Sequence, residues 1–207
     1  KSDKRVNIIL QSNIGLVQSV IKAFKITKGN YVVRLDADDW LHENFVEEML
    51  KKIKSNPNAA MIVPNYFEVN ANGEILRKVQ WGGAQKDKSL LDDPAHGACT
   101  LINRQAYERI GGLNPNITCQ DGFDLWLGIV GNFEIVCVNS PLFYYRRHGK
   151  SLTNDESRIL SQRNEIFRYR AFRAGYKKGR TLAIVPVCGD FIAGQHFWLQ
   201  KIGTHSL

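Results

Sequence analysis

No stretch of the 207 residues is long and apolar enough to span a bilayer as a helix, because no hydrophobic run approaches about 20 residues. Lys1 to Arg5 is charged, but the apolar segment after it is too short for a signal peptide and lacks a small-residue cleavage site. None of the four cysteines, Cys99, Cys119, Cys137 and Cys188, falls in a CxxC pair, which removes the usual spacing of a structural zinc site. They read as reduced, small apolar residues of a cytosolic protein. There is no internal repeat and no low-complexity tract.

What the chain does have is charge, with 28 Lys and Arg against 20 Asp and Glu, a formal net charge of +8. A basic balance favours anionic partners: a nucleotide diphosphate, a nucleic acid or an anionic lipid. Many of the basic residues fall between Arg146 and Arg180. That stretch reads equally as a solvated basic helix and as a face for peripheral membrane association.

Apolar runs alternate with helical patterns. Arg5 to Gln11 (RVNIILQ) is β-branched and apolar, a buried strand by pattern. A helix is expected over Asn13 to Thr27, a strand over Tyr31 to Asp36 and a helix over Glu43 to Lys54. Ala59 to Val69 and Glu74 to Val79 read as strands around an NANG turn. Ala98 to Asn103 is a further strand, leading to a short helix that ends at Gly111-Gly112. Asp121 to Val130 is helical, Glu134 to Val138 and Pro141 to Arg147 are strands, and Asp155 to Ala174 is a long basic helix. This alternation predicts an α/β domain with a mixed, mainly parallel sheet, whose ligands sit at the carboxyl ends of strands. Residues 82–96 read as a loop, 176–180 as a linker, and Thr181 to Val187 as the first strand of a second α/β domain.

The second strand ends in Asp36-Ala37-Asp38-Asp39. Clustered carboxylates repel, and a divalent cation removes the conflict. Mg²⁺ or Mn²⁺ takes hard oxygen ligands, commonly one or two carboxylates plus substrate phosphates. Asp36 and Asp38, two residues apart, share one side of an extended chain. The competing reading makes Asp38 or Asp39 the N-cap of the helix that follows.

The stretch NIGLVQSVIKAFKITKGNYVVRLDADDW resembles family 2 glycosyltransferases at Asn13, Gly15, Gly29, Tyr31, Asp36, Asp38 and Asp39. The resemblance implies a GT-A fold that here lacks its first strands. It also implies metal-dependent transfer of a sugar from a nucleotide donor. It assigns Asp36 to the ribose and metal, and Asp38 to the metal, with Asp39 beside the donor. Many relatives carry Arg-Asn where this chain has Val20-Ile21, so a donor contact there is lost or replaced by Lys22 or Arg34.

Gln120-Asp121-Gly122-Phe123-Asp124-Leu125-Trp126 resembles the family's box at a helix start. By that resemblance Asp121 is the base that deprotonates the acceptor hydroxyl of an inverting enzyme. Asp124 is then structural or acceptor-facing, and Trp126 and Gly97 are acceptor-side. The alternative is that Asp121 caps the helix. Tyr144-Tyr145-Arg146-Arg147-His148, with Ser151 and Thr153, resembles the closing segment, where His148 completes the metal shell and Arg147 or Arg146 neutralises phosphate.

The likeness runs from about residue 5 to 153 and implies a catalytic domain, in part, over residues 1–175. Its implied partners are an NDP-sugar, most naturally a UDP-sugar, and a saccharide or lipid-linked acceptor of surface polysaccharide synthesis. The implied location is the cytoplasm, at the inner face of the membrane. The piece alone is expected to bind donor poorly or not at all, and to be inactive. Pro186, Gly189, Ile202, Gly203 and Leu207 give the tail a faint resemblance to the opening of sugar cytidylyltransferases. A nucleotidyltransferase is the second enzyme reading, and the box at Gln120 has no place in it. A basic nucleic-acid-binding domain is the non-enzymatic one, but it leaves the acidic strand end unexplained, and no helix-turn-helix, RNP box or zinc finger accompanies the charge.

Overall fold

The computed structural model describes residues 3–81, 97–130, 132–148 and 155–173. The loop at 82–96, Ser151, Thr153, the linker, the strand at Thr181 to Val187 and the cytidylyltransferase-like tail lie outside the described residues.

Helix α1 (Leu16–Ile26) starts after Gly15, whose φ of 82° turns the chain into the first turn. It buries Val17, Val20 and Phe24, the stripe that helical spacing puts on one side. Strands β1 (Tyr31–Val33) and β2 (Trp40–Leu41) flank the acidic segment. Helix α2 (Phe45–Ser55) buries Phe45 and Met49, one turn apart. Strand β3 (Ala59–Val69) is the buried centre of the sheet, and β4 (Ile75–Val79) returns along it. Strand β5 (Leu101–Asn103) leads directly into α3 (Arg104–Arg109). Helix α4 (Asp121–Ile129), strand β6 (Glu134–Arg146) and helix α5 (Glu156–Arg173) complete the order.

The sheet runs β1-β5-β3-β6-β2, with β4 paired to β3. It is mixed, as expected, but its parallel character rests on the long β3–β6 ladder alone. The β1–β5, β5–β3, β3–β4 and β2–β6 pairings are antiparallel. The short strands β1, β2 and β5 each contribute few paired residues, and pattern alone gives no direction for such strands. Two antiparallel steps make β1 co-directional with β3, and β6 is parallel to β3. The carboxyl ends of β1, β3 and β6 therefore lie at one end of the sheet.

Successive β3 residues face opposite sides. Met61 and Val63 pack with Val17, Phe24, Tyr107, Phe123, Trp126 and Ile166 from the helices α1, α3, α4 and α5. Ile62 packs with Phe45 and Met49 of α2, and with Leu142 and Phe143. The sheet thus has a helical layer on each face.

The structure corrects two expectations and adds one strand. Residues 6–15 form no strand, and Val6, Ile8 and Leu10 are 66%, 83% and 92% exposed. A strand needs a ladder partner, and among the described residues none runs beside this segment. The two strands expected at 134–138 and 141–147 are one strand, β6, with a register shift opposite Pro64 and Asn65. Pro141 lacks an N–H for the ladder, and Asn65 Nδ2 donates to the Asn139 carbonyl at 2.7 Å across the bulge. The two-residue strand β2 was not anticipated; it is held by stacking of Trp40 on Tyr144, 4.9 Å between centroids.

Candidate active site

The segment after β1 crosses the carboxyl end of the sheet and turns where the Asp39 N–H donates to the Asp36 carbonyl at 3.2 Å. It does not cap α2, whose N-cap position is Asn44. The competing reading of the acidic cluster is thereby removed, and the acids face partners from distant parts of the chain.

Arg34 is the first of these links. Its Nε lies 2.7 Å from Asp36 Oδ1, and its Nη2 donates to Asp36 Oδ2 at 3.2 Å. Its Nη1 donates to Oδ2 of Asp121 in a short ion pair. Burial opposes the Arg34 charge, but Asp121 and Asp36 outweigh it, and the guanidinium titrates above its ordinary value. The Arg34 carbonyl accepts from the Cys99 N–H at 2.6 Å. Cys99 makes that bond from the left-handed region, at a φ of 57°.

Asp121 is the first residue of α4 and is buried. Its side chain goes to Arg34 rather than capping the helix, while its place in the first turn suits the helix dipole. Gln120 before it is left-handed, at a φ of 66°, and its Oε1 accepts from Arg163 Nε at 3.0 Å. Gly97 lies against the Asp121 carboxylate so closely that a Cβ there would sit 2.5 Å from Oδ2. The absence of a side chain at Gly97 is what lets Asp121 reach Arg34.

The Oδ2 atom of Asp38 lies 2.9 Å from Nε2 of His148, which comes from beyond the end of β6. Asp39 accepts the Arg146 N–H on Oδ1 at 2.9 Å, and its Oδ2 is buried without a partner. Burial pushes the Asp39 carboxyl up to about 6, with Asp38 and Asp36 adding to the effect against the Arg146 N–H and Arg34.

Asp36, Asp38 and His148 do not gather into one three-residue set. The Asp36 carboxylate is taken up by Arg34, and among the described residues no group of three or more His, Cys, Asp or Glu converges. The pair that comes together is Asp38 with His148. One carboxylate oxygen and one imidazole nitrogen are the protein donors this pair would offer Mn²⁺ or Mg²⁺, cations that draw further ligands from phosphate and water.

Two expected acceptor-side residues lie in the interior. Asp124 is fully buried, accepting from Arg170 Nε at 2.7 Å and from the Asn114 N–H at 2.7 Å. Burial raises its carboxyl above the usual range, against Arg170. Trp126 is 4% exposed and packs beside Phe123. Both lie on α4, a helix buried along nearly its whole length. Arg147 is exposed, and its N–H donates to the Val69 carbonyl at 2.8 Å. Lys22 Nζ bonds Gln11 Oε1 at 3.0 Å, so Arg34 and not Lys22 carries the basic contact to the acids.

Sequence reading missed the part played by Arg146. Its Nε donates to the Asp38 carbonyl at 3.0 Å, and its guanidinium lies over the Trp40 ring at 5.0 Å. Its position two residues before His148 on an extended chain was the available signal. The described cysteines, Cys99, Cys119 and Cys137, are free, and burial raises all three thiols. No helix among the described residues is long and apolar enough to cross a membrane.

Comparison with known proteins gives the chain's family and fold type. The chain is 26% identical to a chondroitin synthase of Pasteurella multocida strain Pm70, over 68% of this chain and 15% of the synthase. It shows the same identity and coverage with a hyaluronan synthase of P. multocida. The chain therefore spans a small part of the synthases it matches. Among solved structures, a crystallised fragment of S. aureus TarS in complex with UDP-GlcNAc superposes with a TM-score of 0.58 at 14% identity, covering 77% of this chain and 46% of that one. The fold is the GT-A type, α/β with a mixed sheet. The family model described as glycosyl transferase family 2 matches residues 1–111, through β1, the acidic segment and β5 to α3, and the chain belongs to that family.

Proposed function

We propose that this chain carries the catalytic centre of a metal-dependent, inverting hexosyltransferase. It moves a sugar from an NDP-sugar, most naturally a UDP-sugar, to a saccharide or lipid-linked acceptor in surface polysaccharide synthesis. The work is done in the cytoplasm, at the inner face of the membrane. The observation that carries the reading is the Arg34 guanidinium between Asp36 and Asp121, which puts a donor-side acid and a candidate base within one side chain's reach. The names of the polysaccharide synthases and of the UDP-GlcNAc complex support the substrate class.

Asp38 and His148 would hold the cation, which would supply positive charge to the diphosphate leaving group. Asp36 binds the ribose side of the donor. The exposed Arg147 offers donors to phosphate oxygens, while Arg34 orders the two acids. Asp121 accepts the proton of the acceptor hydroxyl as its oxygen bonds to the anomeric carbon. The bond from that carbon to the diphosphate oxygen breaks, and the electron pair leaves with the nucleoside diphosphate. Attack opposite the leaving group inverts the anomeric centre.

UDP binding to the intact protein, followed by calorimetry with Mn²⁺ and with EDTA, tests the donor half. Binding that needs the metal, and is lost in Asp38→Ala, supports it. Metal-independent binding unchanged in Asp38→Ala removes the metal role.

A further inference from the structure

Strand β6 delivers two residues to the acidic segment. His148 meets the Asp38 carboxylate at 2.9 Å, and Arg146 meets everything around it. The Arg146 N–H donates to Asp39 Oδ1 at 2.9 Å, and Nε donates to the Asp38 carbonyl at 3.0 Å. Nη1 donates to the Asn70 carbonyl at 3.5 Å and to the Ala71 carbonyl in a short bond. The guanidinium also lies over the Trp40 ring, 5.0 Å from its centroid. The Arg146 side chain thus joins Asp38 and Trp40 to the turn between β3 and β4, and its main-chain N–H holds Asp39 between them.

We propose that Arg146 is a positioning residue for the cation, fixing the Asp38 main chain to β6 and to the β3–β4 turn so that the Asp38 carboxylate stays opposite His148. This rests on the reading of Asp38 and His148 as the metal's protein ligands. The segment needs such a brace. β2 is two residues long, so the ladder alone gives the Asp38–Trp40 stretch little support. Groups that orient a ligand affect affinity nearly as much as the ligand does, because a carboxylate free to swing must be ordered on binding. The planar guanidinium donates in two directions at once, to Asp38 and to Ala71. A lysine ammonium is a point donor and cannot reproduce that span.

The test titrates Mn²⁺ into the intact protein with UDP present and follows free Mn²⁺ by electron paramagnetic resonance. Wild type is compared with Arg146→Met, Arg146→Lys and Asp38→Asn, each with a metal-free thermal melt. Arg146→Met keeps an apolar stem over Trp40 and removes the donors. Its Mn²⁺ affinity should fall about 10- to 100-fold, with Arg146→Lys also weakened, while the melts stay cooperative. If Arg146→Met does not fold, Arg146→Lys decides the matter by the same readout. Mn²⁺ affinity within about twofold of wild type in the folded Arg146 variants, with affinity lost in Asp38→Asn, overturns the inference and leaves the metal reading standing. Wild-type affinity in Asp38→Asn overturns the metal reading and the inference with it.

Discussion

Arg34 ties Asp36 to Asp121, residues from opposite halves of the chain: Nε stands 2.7 Å from Asp36 Oδ1, and Nη1 donates to Asp121 Oδ2. All three side chains are largely withdrawn from solvent, so each charge depends on the others. Arg34→Met leaves two acids at the sheet end without their shared cation. Equilibrium urea unfolding should show a loss of about 3 kcal/mol. A loss below about 0.5 kcal/mol, the scale of ordinary surface substitutions, would mean the two acids do not rely on Arg34.

Gly97→Ala tests the same constellation from the other side. The added methyl would sit 2.5 Å from Asp121 Oδ2 and 3.1 Å from the Gly122 nitrogen, and backbone cannot yield as a flexible side chain would. The carboxylate must move off Arg34. Steady-state kinetics should show transfer reduced on the order of 10²-fold with donor affinity retained, the cost of a displacement near 1 Å at a reacting group.

Asp39 gives the fold a defined pH dependence. Its carboxyl is raised from 3.8 to about 6, so the folded chain holds this proton more tightly than the unfolded chain does. The stabilisation is complete below about 4 and is lost as pH rises through 6, amounting to roughly 3 kcal/mol. Asp39→Asn keeps an acceptor for the Arg146 N–H and has no charge to bury. Thermal melts from pH 4 to 7 should find the variant gaining on wild type as pH rises, and ahead at pH 7. Parallel profiles would contradict the raised carboxyl.

The Asp124–Arg170 pair is predicted to be structural. Arg170 also donates to the carbonyls of Ile110 and Gly112, at 2.9 and 3.0 Å, fastening α5 to the loop after α3. Arg170→Met strands a fully buried carboxylate and should cost about 3–5 kcal/mol in chemical denaturation, with little effect on UDP affinity in whatever protein remains folded.

The local signals were legible where the residues themselves decide the outcome. β3 runs over Ala59–Val69 as its apolar pattern implies, and α4 begins at Asp121. The acids of Asp36 to Asp39 do follow a strand. What sequence did not reveal depends on partners. Arg5 to Gln11 has strand composition but no ladder beside it among the described residues. The bulge that keeps β6 continuous is satisfied by Asn65, 74 residues away from Asn139. Asp124 and Trp126 look like site residues in the motif, yet α4 is buried along nearly its whole length, and Arg170 and the core take them up. Arg147 or Arg146 reads as a phosphate ligand from sequence, but the acceptors of the Arg146 side chain are backbone carbonyls, which leave no mark on the pattern of side chains.

The central claim is that Asp121 is the base and that donor is held by other groups. Asp121→Asn retains an oxygen to accept from Arg34 and cannot take up the proton. With the donor that supports wild-type turnover, kcat should fall on the order of 10²-fold or more, while Mn²⁺-dependent UDP binding stays at the wild-type level. Turnover near wild type in Asp121→Asn would contradict the account and leave Asp121 as a structural partner of Arg34.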